Sequence, residues 1–298
     1  EKEVGCRWYT AWGDERIPSR PDLKLGAFEH LCTPPFESSW IATLGRNMAH
    51  RRNASWFLFR QGQNFAGESG RFCNLDLPPG MDEIPLDGRF VGDWSHSLFH
   101  FIPPFEKRRH RLSGIPKSGY FASHPEWFTY SQKEGKRVAD RQLCFSNADL
   151  RNELTRNFLE FVRSTPDGRL YNISAMDVPG PFCECPGCQE LAKRYGTTGG
   201  PLFDYLAEVG RELAKVRPEA RLATLVYRRQ QTQVPPNVAF SGFPSNILAI
   251  FAPIDDDFSK DMSHPHNSVS IGHVRRWSEL VRHVWWWYYP IPYCNLFP

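Results

Sequence analysis

The regular alternation of helix-type and strand-type segments after residue 147 constrains the fold of this chain more than any other feature. Asn147 precedes apolar residues at helical spacing, which is typical of a capped amphipathic helix, and a second apolar stripe predicts a helix over Pro201–Val216. The predicted strands are Leu170–Met176, Arg221–Tyr227, Asn237–Phe243, Ile247–Phe251 and Val284–Tyr289, with a shorter helix around Ser278–Arg282. Alternating strands and helices favour βα units around a mainly parallel sheet.

The pattern is weaker before residue 147. The apolar run Ser97–Ile102 predicts a strand, and residues 65–95, rich in Gly, Pro and Asp, predict a long loop. We interpret residues 1–36 as the end of an N-terminal domain and a linker, and residues 37–298 as a partial barrel. The fold class is α/β, an incomplete (β/α)8 TIM-type barrel, because five or six strands are predicted and a closed barrel needs eight.

The ends of the chain also indicate a fragment. The chain starts at Glu1 rather than at a Met, and Pro298 follows directly on an apolar aromatic run. We therefore expect the last strands of the barrel to be missing.

Composition narrows the class of partner. The net charge of +3 comes from basic residues that lie among acidic ones, without a nucleic-acid motif, so no nucleic-acid partner is predicted. No segment reaches the roughly 18 consecutive apolar residues of a membrane span. Aromatic residues make up 14% of the chain. Such a surplus indicates either a cleft that stacks on sugar rings or an aromatic core.

Polar residues at predicted strand ends are the candidates for catalysis, because a βα barrel carries its chemistry there. Asp177 ends the run Leu170–Met176, although an Asp before Val-Pro-Gly also suits a turn. His100 lies on the predicted strand Ser97–Ile102, where it would share a face with His96. Each is either a ligand for substrate or an ordinary structural residue.

Three further groups could line a pocket. His124 and Glu126 lie in a short aromatic segment, and His264 follows three consecutive aspartates. Trp286 and Trp287 belong to an aromatic run in which alternate residues must face opposite sides of a strand. That run is either buried on both faces or offers aromatic platforms to a ligand.

Cys183, Cys185 and Cys188 form a C-x-C-x-x-C cluster on a Gly- and Pro-rich loop. Thiolates at this spacing can reach one Zn²⁺ ion, which prefers four ligands, and the fourth would be another Cys, a His or Asp177. A structural zinc site, a disulfide with one free thiol, and reduced packing cysteines all remain open.

Short motifs spread over most of the chain form a series in a fixed order. They are Gly5-Cys6-Arg7-Trp8-Tyr9 with Arg16-Ile17-Pro18, His96 to His100, His124 to Phe128, Gln142 to Asn147, Ser174 to Asp177 with the three cysteines, and Pro236-Asn237-Val238. Together they resemble a bacterial family of unknown function that is often encoded among polysaccharide-degradation genes. That family is distantly similar to α-glucuronidases and β-N-acetylhexosaminidases. It often has Trp-Asp-Tyr near the last strand, whereas Trp286-Trp287-Tyr288 here lacks the Asp.

The resemblance implies a small N-terminal α/β domain ahead of a TIM barrel, export to the periplasm or cell surface, and a carbohydrate substrate. Glycoside hydrolases generally use two carboxyl groups and need no cofactor. We expect Asp177 to be one of them, as the acid or a sugar-orienting carboxylate, with Glu126 a weaker candidate. The expected substrate contacts are His100, His124, His264, Trp286 and Trp287. The alternatives are a non-catalytic carbohydrate-binding protein on the same scaffold and, less favoured, a metal-dependent hydrolase at the cysteines.

Overall fold

The computed structural model describes residues 7–8, 15–16, 18–19, 95–106, 112, 114–166, 168–238, 240–260 and 262–287. The chain divides into two compact units, Glu1–Phe90 and Val91–Pro298. In the first unit, strands β1 (Arg7–Trp8) and β2 (Glu15–Arg16) pair antiparallel. The predicted domain boundary after residue 36 and residues 65–94 of the predicted loop lie outside the described residues.

The second unit is built around a four-stranded parallel sheet. Its strands are β5 (Leu170–Asn172), β6 (Arg221–Val226), β7 (Ile247–Phe251) and β8 (His283–Trp286), and they lie in the sheet in that order. The α-helices among the described residues are α1 (Leu98–Phe101), α2 (Ala148–Ser164), α3 (Pro186–Tyr195), α4 (Gly200–Val216) and α5 (Ser268–Leu280). The predicted α/β class with a parallel sheet is therefore confirmed, and the sheet neighbours follow chain order.

Shorter elements connect these parts. Strands β3 (Tyr130–Ser131) and β4 (Lys136–Arg137) form an antiparallel hairpin. Single 3₁₀ turns cover Pro125–Trp127 and Pro265–Asn267, and a π-helical turn covers Arg229–Gln233, directly after β6.

The strongest helix prediction is confirmed in detail at its start. The Asn147 side chain accepts a hydrogen bond from the backbone N–H of Leu150 at 2.9 Å, so it caps α2 as its position predicted. Helix α4 matches the predicted Pro201–Val216 within one residue. It buries most of its apolar face because that face packs against the sheet.

Three sequence predictions are wrong. Ser97–Ile102 is not a strand, because Ser97 bonds to the backbone of Asn172 and Ser174 and the next four residues coil into α1. The described residues of Asn237–Phe243 contain no strand, since Asn237 instead donates to the end of α3 through its side chain. The last helix begins ten residues before Ser278, at Ser268, and ends at Leu280. Helix α3 was missed altogether, because its Gly- and Pro-rich start is typical of a loop.

The sheet is buried on both faces at β7. All five residues of this strand are buried, as is usual for a parallel strand with cover on each side, whereas β8 is partly exposed. Trp277 of α5 is fully buried, contacts the rings of Phe203 and Phe243, and donates its indole N–H to the carbonyl of Gln233 at 3.0 Å. These contacts hold α4 and α5 on one face.

Ser174 continues the ladder between β5 and β6 with its side chain. Its Oγ accepts a hydrogen bond from the Leu225 N–H at 2.7 Å and donates to Asn172 Oδ1 at 2.6 Å, all in the buried interior.

We expect Ser174→Ala to lower the free energy of unfolding by about 1–3 kcal/mol, because the buried Leu225 N–H loses its partner. Urea unfolding measures this. Ser278→Ala, at an exposed helical serine, should change stability by less than about 0.5 kcal/mol, and equal losses in the two variants would contradict the prediction.

Candidate functional site

The carboxyl edge of the sheet gathers the polar residues that follow each strand. Asp177 follows the extended segment after β5, Arg228 follows β6 and Asp255 follows β7, while Trp287 comes directly after β8. The carboxyl ends of parallel strands meet at one edge, which is where ligands bind in α/β folds. This edge is therefore the candidate functional site.

Asp177 lies between a cation and a histidine. Its Oδ1 accepts a hydrogen bond from Arg228 Nη2 at 3.1 Å, and its Oδ2 lies 4.0 Å from His96 Nε2. The His96 Nδ1 is 2.7 Å from the carbonyl of Ala175. Because a carbonyl only accepts, Nδ1 carries a hydrogen and Nε2 is the ring atom that faces Asp177. Half of the Asp177 side chain is exposed, at 49%, so a ligand can reach it.

Two glutamines fix the backbone on either side of Asp177. The buried Gln142 side chain accepts from the Met176 N–H at 2.9 Å and donates to the Met176 carbonyl at 2.8 Å. On the other side, Gln231 Nε2 donates to the carbonyls of Val178 and Gly180 at 2.7 and 3.0 Å. The carboxylate is exposed, but the chain that carries it is held in one position.

The two arginines after β6 are tied to the loop after β7. The Arg229 backbone N–H donates to Asp255 Oδ2 at 2.9 Å, and its guanidinium donates to Asp256 Oδ1, also at 2.9 Å. Asp256 is almost completely buried and accepts a further hydrogen bond from Ser270 Oγ at 2.5 Å. Partial burial alone would lower the pKa of Arg228, but the hydrogen bond to Asp177 and nearby charges, including Asp255, raise it. Arg228 therefore pairs with Asp177, and the charge of Asp255 at the neighbouring strand end also acts on it.

The other predicted site residues are dispersed. Glu126 pairs with His124 at 3.2 Å, and His124 stacks on Trp127 with the ring centroids 4.0 Å apart. Among the described residues, Glu126 has no contact with Asp177. His100 lies on α1 and is exposed, so it does not share a strand face with His96. The strand-based reason for choosing His100 is wrong.

His264 lies in the segment between β7 and α5. Trp286 is the last residue of β8, and Trp287 follows it. His264 accepts a hydrogen bond from the His266 N–H at 3.2 Å and so acts as a local cap. Trp286 stacks on Phe251 with the ring centroids 5.3 Å apart, and the Trp287 N–H donates to the Phe251 carbonyl at 2.8 Å. Both tryptophans are partly exposed at the carboxyl edge, so they stay candidates for ligand contact.

Sequence reasoning missed Arg228 and Arg229, and it noted His96 and the three consecutive aspartates only as neighbours of other candidates. The rule that selected Asp177 would also have selected Arg228, because Arg228 follows the predicted strand Arg221–Tyr227 directly. No local signal could have paired His96 with Asp177, since these residues are distant in the chain.

The three predicted cysteines meet a fourth, Cys144, in a buried cluster. The four sulfur atoms lie within 4.8 Å of one another, with Cys144 Sγ 3.5 Å from Cys185 Sγ and 3.9 Å from Cys188 Sγ. All four are free thiols, so of the three alternatives the disulfide does not hold among these residues. Such a group could hold a metal ion.

The thiols of the cluster and a nearby arginine shift one another's pKa values. The pKa of Cys144 is lowered, chiefly by its interactions with the neighbouring thiols of Cys183 and Cys188. The pKa of Cys188 is raised, and that of Cys183 is raised to about 12, chiefly by their interactions with Cys144. Partial burial alone would lower the pKa of Arg137, yet the neighbouring cysteines raise it. The Arg137 guanidinium therefore lies where it favours negative charge on these sulfurs.

A family model matches residues 109–297, and its description is Domain of unknown function (DUF4838). Neither the curated proteins nor the solved structures contain a match to the chain. No helix in the described part of the chain is long and apolar enough to cross a membrane.

Proposed function

This chain belongs to the DUF4838 family, and for it we propose a glycoside hydrolase function at the carboxyl edge of the sheet. The observation that carries the proposal is the exposed carboxylate of Asp177, which is held by Arg228 and faced by His96. We further propose that β5 to β8 are consecutive strands of a TIM-type barrel, because parallel neighbours in chain order are what such a barrel requires.

Glycoside hydrolysis passes through a transition state with positive charge on the sugar, flanked by two carboxyl groups. An arginine donates to a charged carboxylate, so the Arg228 contact suits a role that Asp177 performs in its charged form. We assign it the part of nucleophile, base or sugar-orienting acceptor. Asp255 is better supported than Glu126 as the second carboxyl group, because it lies on the same edge and near Arg228.

The substrate contacts follow from the chemistry of a sugar. Aromatic rings stack on the apolar face of a pyranose, and Trp286 and Trp287 present partly exposed rings at this edge. Arg228 and His96 offer polar atoms beside Asp177 that can bond to hydroxyl groups. A polysaccharide or oligosaccharide substrate agrees with the export to the periplasm or cell surface that we propose from the resemblance.

The proposed reaction needs no cofactor, because both chemical roles belong to carboxyl groups. We propose that a zinc ion at the four cysteines would serve the structure rather than the reaction. A zinc ion takes part in hydrolysis when one of its positions is open to water, and four thiolates leave none open.

The experiment is a panel of nitrophenyl glycosides, including the α-glucuronide and the β-N-acetylglucosaminide, offered to the purified protein. We expect release of nitrophenol from at least one of them, which would also name the sugar class. Absence of turnover across the panel, with polysaccharide binding still detectable by calorimetry, would overturn the hydrolase and favour a carbohydrate-binding protein.

A further inference from the structure

The four-cysteine cluster joins two parts of the chain that are far apart in sequence. Cys144 lies just before the start of α2, whereas Cys183, Cys185 and Cys188 lie in the loop and first turn of α3. Each of the four residues is at most 7% exposed. Four thiol sulfur atoms within 4.8 Å of one another in the interior form a ligand set that could hold a metal ion.

We propose that Cys144, Cys183, Cys185 and Cys188 bind one Zn²⁺ ion in a closed tetrahedral site. Zinc–sulfur bonds of about 2.3 Å in a tetrahedron place the sulfurs about 3.8 Å apart. The two separations from Cys144, 3.5 and 3.9 Å, lie on either side of that value, and all of them are within 4.8 Å. The cluster is therefore already close to the ligand geometry, and Cys144 supplies the ligand that the sequence left open.

The compactness of the cluster favours a single ion over an iron–sulfur cluster. Thiolates that bind different irons lie on opposite sides of the cluster, further apart than thiolates that share one ion. Four sulfurs within 4.8 Å of one another fit only the second arrangement. Soft thiolate ligands in a tetrahedron are typical of zinc, and the absence of a fifth position makes the site structural.

Groups around the sulfurs compensate for the charge of four thiolates. Arg137 Nη1 lies 3.5 Å from Cys183 Sγ, and the Tyr130 N–H donates to the same sulfur at 3.3 Å. Ser146 Oγ lies 3.2 to 3.5 Å from the sulfurs of Cys144, Cys185 and Cys188. Hydrogen bonds of this kind orient metal ligands and lower the cost of placing their charge in the interior.

Gly187 makes this close approach possible. A Cβ atom at residue 187 would lie 2.9 Å from both Cβ and Oγ of Ser146, which is too close for any ordinary contact. Only glycine lets the first turn of α3 approach Ser146 this closely. The glycine between Cys185 and Cys188 is therefore required by packing, in addition to the spacing that the two ligands require.

A zinc ion here would tie the β3–β4 hairpin and the start of α2 to the loop that runs from Asp177 to α3. That loop is already held near its beginning by Gln231 and would be held at its end by the ion. The inference does not depend on the proposed hydrolase, because its readout is metal content.

The test is to purify the full-length protein without chelator from zinc-supplied cells and to measure metals by mass spectrometry. We expect one zinc ion per chain. Cys144→Ser should lose nearly all of it, while Cys294→Ser, which changes a cysteine outside the described residues, should keep it. Ser146→Ala retains every ligand and should weaken zinc affinity by roughly 10–100-fold, as measured by competition with a chromogenic chelator.

A second measurement covers the case in which Cys144→Ser does not fold. Cobalt substituted into the wild-type protein should give the thiolate-to-metal charge-transfer bands and the visible absorption of a tetrahedral four-sulfur site. Wild-type protein that carries iron, that carries no metal, or whose four cysteines are oxidised to disulfides would overturn the proposal. So would full zinc affinity in a folded Cys144→Ser.

Discussion

Asn in place of Asp177 is expected to lower the kcat of glycoside hydrolysis by roughly a hundredfold to ten-thousandfold, the range that a positioned acid or base contributes. The amide keeps an oxygen to accept the hydrogen bond from Arg228, so the local structure should survive. What it loses is the negative charge and the ability to exchange a proton. Steady-state kinetics on whichever nitrophenyl glycoside the protein cleaves would measure the loss.

The matched control is Asp140→Asn, which makes the same chemical change at an exposed aspartate and should leave kcat unchanged. Binding of the sugar to Asp177→Asn, measured by calorimetry, should fall much less than kcat. Wild-type kcat in Asp177→Asn would remove Asp177 from the reaction. Parallel losses of kcat and of sugar binding would reassign it to binding.

Replacing Arg229 with methionine should lower the free energy of unfolding by about 3–5 kcal/mol, because it leaves a buried carboxylate without its cation. The Asp256 side chain is 1% exposed and has one arginine and one serine as partners among the described residues. Urea unfolding followed by circular dichroism measures the effect.

A double variant distinguishes the stability lost through the unpaired charge from the stability lost through packing. Arg229→Met combined with Asp256→Asn should recover a large part of the lost stability, since the amide still accepts from Ser270 and carries no charge. Arg211→Met changes an exposed arginine and should cost less than about 0.5 kcal/mol. A double variant as unstable as Arg229→Met alone would show that packing, and not the buried charge, sets the loss.

The parts of the fold that the sequence predicts are those with local causes. The cap at Asn147 and the apolar stripe of α4 both arise within a few residues, and both are confirmed. Ser97–Ile102 failed because a short apolar run fits a helix or a strand, and hydrogen bonds to Ser174 and Asn172 decided between them.

Some residues of the candidate site could likewise be predicted from local sequence, and others could not. Asp177 could be selected because the end of a predicted strand is a local property. Its partners His96 and Arg228, and the fourth cysteine Cys144, come from other segments, and one sequence does not say which segments meet. For Arg228 the sheet order supplies that information, because it brings consecutive strand ends to one edge.

The order of the strands bears on how the chain acquires its structure. Strands that are neighbours in the four-stranded sheet are also consecutive strands in the chain, so no pairing in it must wait for a strand from beyond the next βα unit. Contacts between consecutive βα units have a lower loop-closure cost than contacts between more distant units, which favours assembly in chain order. During synthesis, β6 can dock on β5 once β6 itself has left the ribosome, and each later strand finds its neighbour already in place.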